Sequence, residues 1–176
     1  MPLVRYATGG YICTSPFPYD GIFRRAVLNF KFHNCGAYAE LLSHEMVRSI
    51  KDVYRDRKFD LVTCVPMHKD TLRKRGYNQA ELLAKECARI LGIEYADLLA
   101  KTKKNKTQHS IKAAERAKNV IGVYSPINKN LIKGKRILII DDIITTGSTL
   151  GECARILNKC KCGEICCCTL CTSLLI

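Results

Sequence analysis

The sequence predicts an α/β domain built around a mainly parallel sheet. Three observations carry that expectation. Short apolar runs alternate with segments whose apolar residues recur at helical spacing, the pattern of strand–helix units. One run, Arg136–Ile140, is strongly strand-like and leads through Asp141-Asp142 and a Thr/Gly turn into a helical stretch. The 176 residues, 47% of them hydrophobic, suffice for one domain with a real core and fall short of two full-sized ones.

The elements follow in order. Residues 1–20, rich in Gly, Pro and Tyr, read as an irregular lead-in. From Gly21 the spacing of Phe23, Ala26, Val27 and Phe30 gives one apolar helix face. A second helix fits Ala37–Tyr54, with Leu41, Leu42, Met46, Val47 and Ile50 as its stripe. The mixed-charge run Lys51–Lys58 closes this opening section. Residues 1–58 are therefore expected to pack as a lead-in and helical segment on a domain at residues 59–176, in one compact unit. Phe59–Val65, stopped by Pro66, suits a buried strand, and a basic loop should follow it. Asn78–Leu91 is helical, with Gly92 at its C-cap. Ile93–Leu99 and Val120–Tyr124 are strand candidates on either side of a long basic loop, Lys101–Asn119. After the Thr145–Thr149 turn, Thr149 and Glu152 have capping-box spacing, and Leu150, Cys153, Ala154 and Leu157 share a face. Gly163 breaks that helix, and Glu164–Ile176 reads as the closing strand.

The formal net charge of +13 calls for an anionic partner: nucleic acid, a membrane surface or a polyphosphate. It is concentrated. Pro66–Gly76 nets +3 and Lys101–Lys118 nets +6. No apolar run approaches the roughly 18 residues that span a bilayer. The first residues lack the basic and long apolar blocks of a signal peptide, so a cytoplasmic home is expected. Eleven cysteines are then free thiols in a reducing compartment rather than a disulfide framework. Six of them lie in Cys160–Cys171. They could ligate zinc, but consecutive strand residues point to opposite faces, so Cys166-Cys167-Cys168 fit better as small hydrophobes in the last strand.

The candidate site is the segment Ile137–Thr149. Ligands of open parallel sheets sit beyond the carboxyl ends of strands. Asp141, Asp142 and the Thr145–Thr149 turn occupy that position here. A turn entering a helix offers unpaired N–H groups and a positive dipole end. Thr145, Thr146, Ser148 and Thr149 add hydroxyls, and Gly147 would let the backbone approach an anion. The two carboxylates suit ribose hydroxyls or Mg²⁺. A ligand with a phosphate at one end and a diol nearby, a ribose 5-phosphate unit, satisfies both halves. No GxxxxGK[ST] stretch is present, which disfavours a Walker-type site.

Apolar–DD–apolar–TTG-x-T resembles the phosphoribosyl pyrophosphate signature of type I phosphoribosyltransferases. Val65-Pro66, Arg73, and Arg75-Gly76-Tyr77-Asn78-Gln79 with Ala80 and Leu82 resemble the ComF family, phosphoribosyltransferase-like competence proteins. Gln108, Arg116, Asn119, Val120 and Gly122 resemble that family's Q…R…N-V-x-G stretch. The match runs from about Gly21 onward. The resemblance implies a type I phosphoribosyltransferase core and a ligand of the phosphoribosyl pyrophosphate class with Mg²⁺ at Asp141 and Asp142. It also implies a pyrophosphate loop at Pro66–Gln79, where Lys69, Arg73 and Arg75 are the candidate contacts. Lys101–Asn119 would be a hood closing over the site, with Arg116 its foremost catalytic candidate. No histidine shows catalytic spacing. The implied transition state, with oxocarbenium character, depends on stabilising the departing pyrophosphate more than on a general base. Many ComF-like chains begin with a zinc ribbon of CxxC pairs; Cys13 alone stands near the start here, so no such ribbon is expected. The family also implies a link to natural transformation. The rival reading is thus a non-catalytic module whose basic loops bind single-stranded DNA or a helicase or recombination partner.

Overall fold

A computed structural model describes residues 1–32, 36–103 and 120–173. The chain forms β1 (Leu3–Ala7), β2 (Tyr11–Ser15), β3 (Phe17–Pro18), α1 (Gly21–Phe32), α2 (Gly36–Val53), β4 (Leu61–Cys64), α3 (Lys69–Arg75), α4 (Gln79–Leu91), β5 (Glu94–Tyr95), β6 (Leu99–Lys101), β7 (Tyr124–Pro126), α5 (Lys129–Ile132), β8 (Arg136–Ile144), α6 (Ser148–Lys159) and β9 (Glu164–Thr172). The central sheet has the order β1-β2-β9-β8-β4-β5, with β3 also on β9. All its pairings are parallel except the β1–β2 hairpin. A separate antiparallel pair, β6–β7, stands beside it. The architecture is the α/β, mainly parallel one that the sequence predicts. Among the described residues, no helix is long and apolar enough to cross a membrane.

Two cores lie on the two faces of this sheet, and the pleat of β8 sorts them. Ile137 and Ile139 join Leu150, Cys153, Ala154 and Leu157 of α6 on one face. Leu138 and Ile140 join Met46, Val47, Leu83, Ala84 and Cys87 of α2 and α4 on the other. The period of two in β8 and the 3.6-residue stripes of the helices are thus the same pattern seen from two sides. Cys166, Cys167 and Cys168 of β9 obey it too, while Cys171, in step with Cys167 by parity, does not. Cys167 belongs to the α6 face, and Cys166, Cys168 and Cys171 to the α2/α4 face. Burial pushes the Cys166 thiol pKa up to about 11 and holds those of Cys167 and Cys168 well above the usual value. These side chains pack as protonated hydrophobes. Tyr54 anchors the α2 end to the sheet. Its buried hydroxyl lies 2.8 Å from the Cys167 carbonyl and 3.0 Å from that of Ile12, and shares one proton between them.

Several local expectations are corrected. Residues 1–20 are not an irregular lead-in: they supply β1, β2 and β3 of the central sheet. The Gly9-Gly10 pair, at φ of 94° and 82°, turns the β1–β2 hairpin, and a Gly-Gly pair between LVRYA and YICTS is a hairpin signal. The basic loop after β4 contains a helix, α3, running from the His68 N-cap to the αL C-cap Gly76. It buries no residue, which is why no apolar stripe announces it. Ile93–Leu99 divides into β5 and the start of β6, and the strand expected at Val120–Tyr124 begins only at Tyr124. β8 runs on through the acidic pair to Ile144. The capping box at Thr149 and Glu152 does not form. The N-cap is Gly147, and Glu152 turns away to other partners. Gly163 precedes β9, as expected, and β9 covers Glu164–Thr172 of the closing segment.

Candidate active site

The carboxyl ends of β4 and β8 frame a cleft of about 270 Å³. Val65 and Pro66 come from the end of β4. Asp141 and Asp142 come from β8, and Thr149 from the first turn of α6. Parallel pairing places the acids there. Leu61–Cys64 run in register with Ile137–Ile140, so the chain leaves β4 where β8 reaches its acidic pair. Both carboxylates are half-exposed, and Asp141 Oδ1 accepts the Asp142 N–H at 2.8 Å.

A second, smaller recess adjoins this cleft and shares Asp141 and Thr149 with it. Thr145, Thr146, Gly147 and Ser148 form its wall. The Thr146 and Ser148 hydroxyls lie 2.9 Å apart. The recess sits at the N-terminus of α6, whose N-cap Gly147 has no side-chain acceptor for the first-turn N–H groups. All five residues of the expected turn therefore meet at one helix start, beside the acidic pair.

The fold itself also requires a glycine at Gly147. Its φ is +74°, and a Cβ there would lie 2.7 Å from the Ala7 Cα and 3.1 Å from the Thr8 nitrogen. The close approach is to the β1–β2 hairpin behind the turn, not to the recess. Gly151, one turn on, is pressed the same way: a Cβ would fall 2.3 Å from the Thr8 carbonyl oxygen. The hairpin thus backs the turn, and the Thr8 N–H donates to the Gly147 carbonyl at 3.3 Å.

The opposite wall comes from α3 and its junction with α4. His68, Thr71 and Arg75 line the cleft. Their i, i+3, i+7 spacing makes one helix face. Lys69 and Arg73, expected as pyrophosphate contacts, lie on a neighbouring face, exposed and outside the cleft lining. Of the three cations singled out in this segment, the structure brings only Arg75 to the acidic pair. The Arg75-Gly76-Tyr77-Asn78-Gln79 element is the joint that places it. Arg75 donates to Gln79 Oε1 at 2.9 Å, and Gly76 ends α3 at φ 87°. Buried Asn78 caps α4 through the Ala80 N–H and donates to the Val65 carbonyl at 3.1 Å. His68 Nδ1 accepts the Asp70 N–H at 3.2 Å as the α3 N-cap.

Lys101 is the residue that sequence reasoning passed over. It closes β6 opposite Tyr124 of β7, and its Nζ lies 5.5 Å from the centre of the Tyr124 ring. Both residues line the cleft. Burial lowers the Lys101 pKa from the usual lysine value, while the nearby Asp141 carboxylate opposes that shift. In the sequence Lys101 is one cation among seven in a basic stretch. What singles it out is its register partner, which only the β6–β7 ladder reveals. Arg116, Gln108 and Asn119 fall within residues 104–119, outside the described residues. Both stems of that stretch are tied to the fold by hydrogen bonds. The Thr102 N–H donates to the Val123 carbonyl at 2.8 Å, and Glu152 accepts the Gly122 N–H at 2.9 Å while paired with Arg155. That pairing holds the Glu152 pKa below its ordinary value.

The donor set at the acidic pair is two carboxylates in an open cleft. Among the described residues, no group of three or more His, Cys, Asp or Glu is gathered at one point. Such a pair fits a hard cation that keeps most of its ligands from water and from a bound polyphosphate, as Mg²⁺ does.

A model of the phosphoribosyl transferase domain matches residues 77–174, more than half of the chain. Competence protein F of Haemophilus influenzae is 31% identical over 144 residues, which is 79% of this chain and 63% of that protein. Competence protein ComFC of Bacillus subtilis is 30% identical over 86% of this chain and 60% of its own length. DNA utilization protein YhgH of Escherichia coli is 30% identical over 57% of this chain and 44% of its own length. The chain thus spans less than two thirds of these relatives. Among solved structures, a glutamine phosphoribosylpyrophosphate amidotransferase from B. subtilis, complexed with ADP and GMP, superposes with a TM-score of 0.54. Its 17% identity, over 80% of this chain and 30% of that one, makes this a likeness of fold. Sheet, cleft and sequence agree: the chain belongs to the phosphoribosyltransferase domain family, among its ComF-like members.

Proposed function

We propose that the cleft binds phosphoribosyl pyrophosphate with Mg²⁺ and that the chain transfers its phosphoribosyl group to a nucleophilic acceptor. The observation that carries this reading is the pair of adjoining cavities that share Asp141 and Thr149. In it, the 5-phosphate takes the recess at Thr145, Thr146, Gly147, Ser148 and Thr149, where hydroxyls and first-turn N–H groups donate. Asp141 and Asp142 accept from the ribose hydroxyls and hold Mg²⁺, directly or through water. The metal supplies charge neutralisation for the departing pyrophosphate. Arg75 and Lys101, on the facing wall, add fixed positive charge for the same anion. Lys69 and Arg73 stand near enough in sequence to meet a longer polyphosphate, and Arg116 would reach the ligand from the segment whose stems border the cleft. The names of the relatives, competence proteins and a DNA utilization protein, support a DNA-handling setting for such a protein. The second reading, a module that binds single-stranded DNA or a helicase or recombination partner and senses a nucleotide precursor, rests on those names and on the basic 101–118 stretch.

Calorimetry with phosphoribosyl pyrophosphate and Mg²⁺ tests the first reading. Binding lost in Asp141→Ala and Asp142→Ala, with the fold intact by circular dichroism, is the expected result. Absence of binding at millimolar ligand sinks it. Salt-sensitive binding of an oligonucleotide that persists when the ligand is saturating favours the second reading.

A further inference from the structure

At the other pole of the sheet, where β4 and β8 begin, lies a groove of about 480 Å³. Half-buried Phe59, Leu91 and Ile93 form its floor, and exposed Lys51, Arg55 and Lys58 stand on its rim. Two further cations at the groove are already held by the chain itself. Arg136 grips Asp60 through two guanidinium contacts of 2.7 and 3.0 Å, and Arg57 pairs with Glu164. Lys51, Arg55 and Lys58 have no such ion pair among the described residues, and neighbouring Asp52 and Asp56 do not line the groove. The proposed ligand cleft makes no use of this surface. From Arg136 to Asp141 the chain advances five strand residues at about 3.3 Å each, so the two sites lie about 17 Å apart.

We infer that this groove docks an acidic peptide segment of a partner protein, with an aliphatic or aromatic anchor side chain on the Phe59–Leu91–Ile93 floor and its carboxylates on Lys51, Arg55 and Lys58. Charge complementarity selects the sign of the partner. The floor selects its class. Single strands of nucleic acid need flat aromatic faces on which bases stack. Here the Tyr54 ring is buried and meets Phe59 edge-on at 5.8 Å, and the rest of the floor is aliphatic. An apolar floor inside a charged rim is the arrangement that takes an anchored peptide. The site is distinct from the ligand cleft, so both can be filled at once.

A peptide-display selection on the whole chain, counter-selected against Lys51→Glu/Arg55→Glu/Lys58→Glu, reads the groove's preference. The expected consensus is clustered Asp and Glu around one or two of Leu, Ile or Phe. A fluorescein-labelled representative should bind about tenfold or more weakly to the charge-reversed variant, the combined effect of three exposed ion pairs. Ile93→Ser should weaken it as well, and Asp141→Asn should not. Circular dichroism checks folding, and a Lys→Gln/Arg→Gln version of the rim variant repeats the measurement should the reversal unfold the chain. Three results overturn the inference: a selection with no acidic-apolar consensus, binding that survives loss of the rim charges, or displacement of the peptide by a short single-stranded oligonucleotide at lower concentration than unlabelled peptide.

Discussion

Gly147→Ala separates two accounts of the glycine in the Thr145–Thr149 turn. If the glycine exists to let an anion approach the backbone, alanine costs ligand affinity and leaves stability alone. The geometry assigns the opposite outcome. At φ +74° an alanine pays for the left-handed conformation, about 1–2 kcal/mol. Its Cβ would also stand 2.7 Å from the Ala7 Cα, a backbone atom that cannot rotate aside. Relieving that overlap means shifting the β1–β2 hairpin off the turn, at about 1–3 kcal/mol by analogy with overpacked cores. Together the cost is about 2–5 kcal/mol, a large share of the roughly 5–15 kcal/mol typical of a domain. For a chain of this size it corresponds to a fall in Tm of roughly 4–20 °C. Urea and thermal unfolding of wild type and Gly147→Ala measure it, and Gly151→Ala, whose Cβ would meet the Thr8 carbonyl without a positive φ, isolates the steric part. A Gly147→Ala protein within about 0.5 kcal/mol of wild type, yet defective in binding phosphoribosyl pyrophosphate, would refute the reasoning.

Other consequences can be measured separately. Glu152→Gln keeps the shape but removes the charge that holds the Gly122 N–H and Arg155. Amide exchange at Gly122 should quicken about tenfold or more, as loss of a charge-assisted hydrogen bond requires, and unchanged exchange would show that the stem is held elsewhere. Tyr54→Phe deprives the Cys167 and Ile12 carbonyls of their shared donor, and urea titration should find the protein about 1–2 kcal/mol less stable, with a smaller change arguing that water fills the gap. The Asp60–Arg136 pair makes stability depend on pH in one direction. Its carboxyl pKa is held well below the unfolded value of about 3.9, so its contribution is complete above that pH and is lost as pH falls toward the folded pKa. Asp60→Asn should lower Tm at neutral pH and flatten its decline in acid; a decline of unchanged steepness would assign acid sensitivity to other groups. Lys101 sheds its proton below the usual lysine range, so affinity for phosphoribosyl pyrophosphate should fall as pH rises toward that range, and Lys101→Arg should remove the fall. An identical pH profile in the variant would take Lys101 out of the anion's reach.

What was legible in the sequence depended on whether one stretch of chain carried the whole signal. β8, its acidic pair and the start of α6 are contiguous, and their chemistry and their position at a strand's carboxyl end follow from a dozen residues in a row. The helix faces of α2, α4 and α6 and the alternation of β9 were legible for the same reason: each buries a periodic set of residues against the sheet. α3 has no such face, and nothing apolar marks it as a helix. The β1–β3 segment was hidden for another reason. β1 and β2 do carry a local signal in the Gly9-Gly10 hairpin turn, but β2 and β3 join the sheet through β9, more than a hundred residues away, and that pairing is not written in the segment itself.

The same distinction decides which cations matter at the cleft. Counting charge along the chain makes Lys69, Arg73 and Arg75 equivalent, and dissolves Lys101 in the longer basic stretch. Helical phase separates the first three, because only Arg75 shares a face with His68 and Thr71. Ladder register picks out the fourth, because Lys101 is opposite Tyr124 and both stand before Asp141 and Asp142. Neither phase nor register is written in composition. A site read from sequence is therefore most complete where one contiguous segment forms the whole recess, as at Thr145–Thr149. It is least complete where several segments must converge on the extended anion we propose: Arg75 and Lys101 line the cleft, while Lys69 and Arg73, expected beside Arg75, lie outside its lining.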